Sequence, residues 1–310
     1  MTIRSDLLSA VASAGMILPC LVCLLLVFSC CSTPDDEAEK STARMLVFVS
    51  IPPQAFIAER IGGGLVEVEV LVKPGQEPHT FEPLPRQMTD LARAKLYFKA
   101  GMPFEQRLVE KIAAGFGELK IVDSFLGAET AVLHSQAADD HEEHDPHVWL
   151  APSVVRVMAG NTAEALSEAD PGNTNVYQAN LAGFLAELEE VDSRISYKLA
   201  RYLGGAFYVL HPAYGHFAEE YGLRQVALEA EGKLPSPQRL VSLIEQARRD
   251  GVLTVFVQPQ FDRKSAEALA NAIGAEVVVL DPLARDLFAN LERIAEALAS
   301  SFSAQRNGIR

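Results

Sequence analysis

Four polar residues have the types and settings needed to hold a metal ion: His79, His147, His211 and Asp281. His79 follows Pro78 in "KPGQEPHTFEPLPRQM", and His147 follows Pro146 in "HEEHDPHVWLAP". His211 closes the apolar run "AFYVLH" before Pro212, and Asp281 closes "AEVVVLD" before Pro282. Proline fixes its own φ and keeps its predecessor extended, so all four sit on stiff backbone. Stiff backbone reduces the entropy lost when a ligand is captured. Three neutral imidazoles and one carboxylate form an N₃O set that suits tetrahedral Zn²⁺. Mg²⁺ and Ca²⁺ take mostly oxygen ligands, and Mn²⁺, the alternative ion, is better served by more carboxylates. Any one of these residues alone reads as a strand-end polar group bonded to nearby backbone. Four of them at or after strand ends, two from each half, could converge in one cleft.

Accessory candidates surround them. Glu77 reads as a solvated loop acid or as an alternate or water-mediated ligand. Trp149, the only tryptophan, reads as packing that stiffens the loop beside His147. His216 reads as a surface residue or as support behind the site. His141 and His144, with His134, fall in an acidic run, where a solvated loop is expected and transient zinc capture is the alternative.

The elements that must position these residues follow from periodicity. Apolar or alternating β runs at 45–50, 66–72, 96–100 and 119–123 are separated by helical stretches opened by proline. The pattern resumes with runs at 206–211, 224–229, 252–258 and 275–281. Alternation of β and α implies parallel sheets covered by helices, and such sheets bind ligands at the carboxyl ends of their strands. Between the halves, Tyr177, Leu181, Phe184, Leu188, Val191, Ile195 and Leu199 recur every three or four residues. They make one apolar stripe on a helix of roughly eight turns. The fold class expected is α/β: two lobes, each with a parallel four-stranded sheet flanked by helices, joined by one long rigid helix. The divisions expected are a signal peptide (1–29), a tether (30–43), an N-terminal lobe (44–170), the linking helix (171–202) and a C-terminal lobe (203–310).

Bulk properties narrow the function. The 310 residues are 49% apolar, enough for two cores, and the net charge of −14 excludes nucleic acid as a partner. "MILPCLVCLLLVF" (16–28) has signal-peptide length, and "VFSC" ending at Cys30 resembles a lipobox whose cysteine is lipidated. An uncleaved N-terminal anchor is the alternative, and both place the body outside the cytoplasm at a membrane. All four cysteines (Cys20, Cys23, Cys30, Cys31) lie in this leader region, so a metal in the folded body must rest on His and carboxylate. No GxxxxGK[ST] phosphate loop is present, and no HExxH.

The motifs "PGQEPHTFEP" with "RQM", "DPHVWLAP", "HPAYGHFAEEYGL" and "DPLARDLFANL" together resemble the periplasmic or lipoprotein substrate-binding subunits of zinc and manganese ABC importers. The likeness runs over roughly 44–302. It implies that His79, His147, His211 and Asp281 ligate the metal, and His211 in place of a glutamate implies Zn²⁺ over Mn²⁺. It also implies a membrane permease and a separate ATPase as partners, and a monomer in the periplasm or on the outer face of the cell membrane. Departures are His216 where many relatives have an aromatic, Ala151 where many have Asp, and a shorter His-rich loop before "DPH". The rival classes are a surface adhesin and a zinc hydrolase. Catalytic zinc keeps an open position for water, which a fourth protein ligand would fill.

Overall fold

The computed structural model describes residues 44–115, 117–128, 145–229, 236–261 and 263–308. The signal peptide, Cys30, the tether, His134, His141 and His144 lie outside the described residues. Arg44–Arg310 form one compact unit.

The first half runs β1 (Met45–Val49), α1 (Pro52–Gly62), β2 (Val66–Val70), α2 (Pro85–Leu91), β3 (Leu96–Lys99), α3 (Pro103–Gly115) and β4 (Lys120–Asp123). Two long helices follow, α4 (Pro152–Ala169) and α5 (Thr174–Leu199). The second half runs β5 (Ala206–Val209), α6 (Gly215–Glu220), β6 (Arg224–Ala227), α7 (Pro237–Arg249), β7 (Thr254–Val257), α8 (Arg263–Ile273), β8 (Glu276–Val279) and α9 (Leu287–Gly308). Both sheets are wholly parallel and share one plan: β2-β1-β3-β4 and β6-β5-β7-β8. The two-lobed α/β architecture expected from the pattern is the one observed.

Local chemistry explains the strands. Central β1 and β7 are apolar runs buried on both faces, as parallel strands covered by helices must be. Edge strand β2 alternates, burying Val66 and Val70 while Glu67 and Glu69 face solvent and pair with Arg44 and Lys73. Charge on an exposed edge blocks unwanted pairing. The strands are shorter than the apolar runs: β5 ends at Val209 and β8 at Val279. His211 and Asp281 therefore stand two residues past the strands rather than closing them. Leu210 N still bonds Phe256 O at 2.9 Å, but Pro212 offers no donor and the ladder stops.

Helix α5 has 26 residues, about 39 Å at 1.5 Å per residue. Its predicted stripe is buried at Tyr177, Phe184, Leu188, Val191, Ile195 and Leu199, with Leu181 half-buried. It packs on α1, α4 and α9, so both lobes share it as a wall. At one point Phe56 of α1, Phe184 of α5 and Phe288 of α9 meet with ring centroids 4.8–6.2 Å apart. The Arg60 guanidinium lies 5.5–5.9 Å from all three rings. Among the described residues, no helix is long and apolar enough to cross a membrane.

Candidate metal centre

Three chain segments converge beyond the carboxyl ends of the strands. His79 lies on the loop after β2, where Glu77 Oε1 accepts from the His79 backbone N–H at 2.9 Å. His147 lies just before a 3₁₀ turn, Val148–Leu150, that leads into α4. Asp145 Oδ1 accepts from the His147 backbone N–H at 2.9 Å and holds its ring Nδ1 at 2.6 Å. Pro146 between them favours this tight two-residue reach. His211 Nδ1 is held by Glu229 Oε1 at 2.7 Å, and Phe261 stacks on the ring at 5.0 Å. The parallel register explains the Glu229 contact: Val209 pairs with Ala227, so the residues two further on, His211 and Glu229, leave the sheet side by side.

One nitrogen from each of His79, His147 and His211 lies within 4.8 Å of the others. His79 Nε2 and His147 Nε2 are 3.4 Å apart. When Nδ1 donates to a carboxylate, Nε2 carries the lone pair, so Asp145 and Glu229 fix the tautomer that ligates. Burial, followed by the neighbouring charges of His147 and His211, lowers the His79 pKa from the ordinary 6.5 to about 4, which keeps that ring neutral. Burial alone would raise the Asp145 carboxyl, but hydrogen bonding and charge from His147, with His216, hold it below its usual value.

The cavity around these rings draws Glu77 and Pro78 from one lobe and Gln258, Gln260, Phe261, Pro282 and Leu283 from the other. Glu77 Oε2, His211 Nε2, Gln258 Oε1 and Gln260 Oε1 are buried there without a hydrogen-bond partner among the described residues. All four are acceptors once His211 donates through Nδ1. Buried acceptors left unmatched are costly, and a cation is what such a set lacks.

The predicted residues fall as follows. The structure brings His79, His147 and His211 together. Asp281 stands outside this group: its Oδ1 accepts from Gln260 Nε2 at 3.1 Å and from the Leu283 N–H at 3.0 Å. Glu77 is half-buried at the cavity and not a freely solvated acid: one carboxylate oxygen accepts from the His79 N–H and the other is buried. Trp149 is fully buried, its ring centroid 5.3 Å from that of His147, and its Nε1 donates to Pro282 O at 2.8 Å. His216 is buried at 5% exposure and is not a surface residue; its Nε2 lies 3.0 Å from Asp145 O. Sequence reasoning missed Asp145, Glu229, Gln258 and Gln260 as parts of the site. The spacing Asp-Pro-His was the signal for Asp145, and the position of Glu229 at the end of the run 224–229 was the signal for the other carboxylate.

Two α/β lobes of matching plan, with a three-histidine centre drawn from both halves, define a solute-binding protein for a metal ion. A family model described as zinc-uptake complex component A, periplasmic (ZnuA), matches residues 47–301, and the chain belongs to that family. Its members are solute-binding transport proteins and not enzymes. The high-affinity zinc uptake system protein ZnuA of Bacillus subtilis (strain 168) is 26% identical over 273 residues, 84% of this chain and 86% of the relative. A solved crystal structure of ZnuA is 41% identical, with TM-score 0.75, covering 83% of this chain and 99% of that one. A ZnuA deletion mutant with zinc bound is 40% identical, with TM-score 0.74, covering 83% of this chain and 98% of that one.

Proposed function

We propose that this protein captures Zn²⁺ outside the cytoplasm and hands it, as a monomer, to the permease of an ABC importer driven by a separate ATPase. The observation that carries this reading is the convergence of three imidazole nitrogens within 4.8 Å, two of them from carboxylate-backed rings. His79, His147 and His211 are the ligands. Nitrogen-rich donation favours Zn²⁺ over Mn²⁺. Asp281 supplies the fourth donor through the carboxylate oxygen not engaged by Gln260 and Leu283. A second reading of that position rests on one observation: Glu77 Oε2 is buried at the cavity with no hydrogen-bond partner among the described residues.

Calorimetric titration of metal-free protein with Zn²⁺, in competition with Mn²⁺, tests the function. Tight one-to-one Zn²⁺ binding supports it, and preference for Mn²⁺ or no binding overturns it. Asp281→Ala and Glu77→Ala in the same titration decide the fourth donor: the larger loss marks the ligand. The cysteine at position 30 serves as a lipid anchor in this proposal, and mass spectrometry of the mature N-terminus tests that separately.

A further inference from the structure

The segment 145–153 carries His147 into α4, which packs on α1 and α5. Among the described residues, however, its side-chain hydrogen bonds beyond the segment, apart from that of His147 to His79, run to the opposite lobe. His216 Nε2 of α6 donates to Asp145 O at 3.0 Å. Glu220 at the other end of α6 accepts from Ser153 N at 3.1 Å and from Ser153 Oγ at 2.6 Å. Trp149 reaches Pro282 O between these two points. Gly215 completes the fit: a Cβ there would stand 2.8 Å from Asp145 Oδ2, so the carboxylate seats against α6 because residue 215 has no side chain. That carboxylate is the one holding His147 by both its backbone N–H and its Nδ1. His211 precedes α6 by four residues and is fixed to the end of β6 through Glu229. His79 differs. Among the described residues its hydrogen bonds go to Glu77 on its own loop and to His147 Nε2.

We propose that His216 and Glu220 are positioning residues for metal capture. They fasten the His147 segment to the C-terminal lobe, so His147 and His211 form a preassembled pair that meets the ion first. His79, carried by the loop of the other lobe, closes on the ion last and leaves it first. This rests on the three histidines being ligands. Carboxylates behind metal-bound histidines typically control affinity 10- to 100-fold, so a residue that seats such a carboxylate acts through it.

The test follows Zn²⁺ association and release by stopped-flow Trp149 emission, with a competing chelator for release. His216→Phe keeps an aromatic volume but removes the donor, and release is expected to quicken about 10-fold. His216→Gln, whose amide can donate to Asp145 O, recovers most of that loss. Gly215→Ala, which leaves His216 in place but presses on Asp145, gives a similar increase and serves if His216→Phe folds poorly. In a His147→Ala background the His216→Phe change has no further effect, because the two residues act as one unit. Equal losses in both backgrounds overturn the proposal by showing that His216 acts on general stability. His79→Ala is expected to speed release while leaving association near the wild-type rate, and His211→Ala to slow association; the reverse pattern overturns the order of capture. Wild-type protein that binds no Zn²⁺ in this assay refutes the functional reading itself, an outcome distinct from either.

Discussion

The two lobes share one strand plan but use their strand ends differently. In the N-terminal lobe the polar residues after the strands are tied to one another. Gln54 accepts from Ser50 N at 3.0 Å and donates to Ser124 Oγ at 2.7 Å and to Lys99 O at 3.0 Å. Glu105 accepts from Ser50 Oγ, from Ala100 N at 2.6 Å and from Met102 N at 3.0 Å. In the C-terminal lobe the residues after β5, β6, β7 and β8 are His211, Glu229, Gln258 with Gln260, and Asp281, and they turn toward the cavity or to groups lining it. One lobe closes its strand ends into a platform and sends its ligands out on loops. The other builds the site from the sheet itself. Identical topology therefore does not dictate where chemistry sits; the satisfaction of strand-end polar groups does.

Substitutions sharpen this contrast. His211→Ala should lower Zn²⁺ affinity by about 100-fold or more, as loss of one of a few metal ligands does. An equal loss from Ser50→Ala, on the platform side, would break the comparison. Asp145→Asn and Glu229→Gln should each weaken Zn²⁺ binding by about 10- to 100-fold in the same titration, since the Nδ1 partner sets ring orientation and basicity. Glu105→Ala should act the other way. It strands two buried backbone donors and destabilises the fold by about 2–4 kcal/mol in urea unfolding, while the folded fraction keeps its Zn²⁺ affinity.

Acid provides a smaller effect with a fixed sign. Below pH 6.5 an unfolded imidazole takes up a proton, while His79 in the fold stays neutral down to about 4. The unfolded state then binds more protons, so the His79 contribution to metal-free stability declines as pH falls across that window. As pH falls from 6.5 toward 4, the melting temperature of the metal-free wild type should fall relative to that of His79→Gln; parallel curves would remove His79 as the cause. His141→Ala, in the acidic run before "DPH", is expected to leave Zn²⁺ affinity within about twofold, the scale of a surface change.

Much of this arrangement is legible in the sequence, for identifiable reasons. The strands are apolar or alternating runs bounded by turns, and α5 carries an unbroken stripe, so period alone reveals both sheets and the linking helix. Helix α4 escaped that reading because its buried face includes Ala159, Thr162, Ala163 and Ala165, which give little hydropathic contrast. The three histidines were legible from residue type and from their settings beside proline, His211 at the end of an apolar run and His79 and His147 in loops after strands. Their carboxylate partners were not, because pairing Glu229 with His211 needs the register between β5 and β6, and register is a property of two strands at once. Asp281 has the right residue type and setting, but the Gln260 and Leu283 hydrogen bonds to its Oδ1 were not legible, because they come from a neighbouring strand end and the turn after Pro282.

The helix shared by the lobes has a thermodynamic corollary. With Phe56, Phe184 and Phe288 interlocked across it, neither half owns a complete apolar interior, and severing the chain near residue 171 or 202 would leave two pieces with raw faces. Heating should accordingly melt Arg44–Arg310 in a single calorimetric endotherm rather than two.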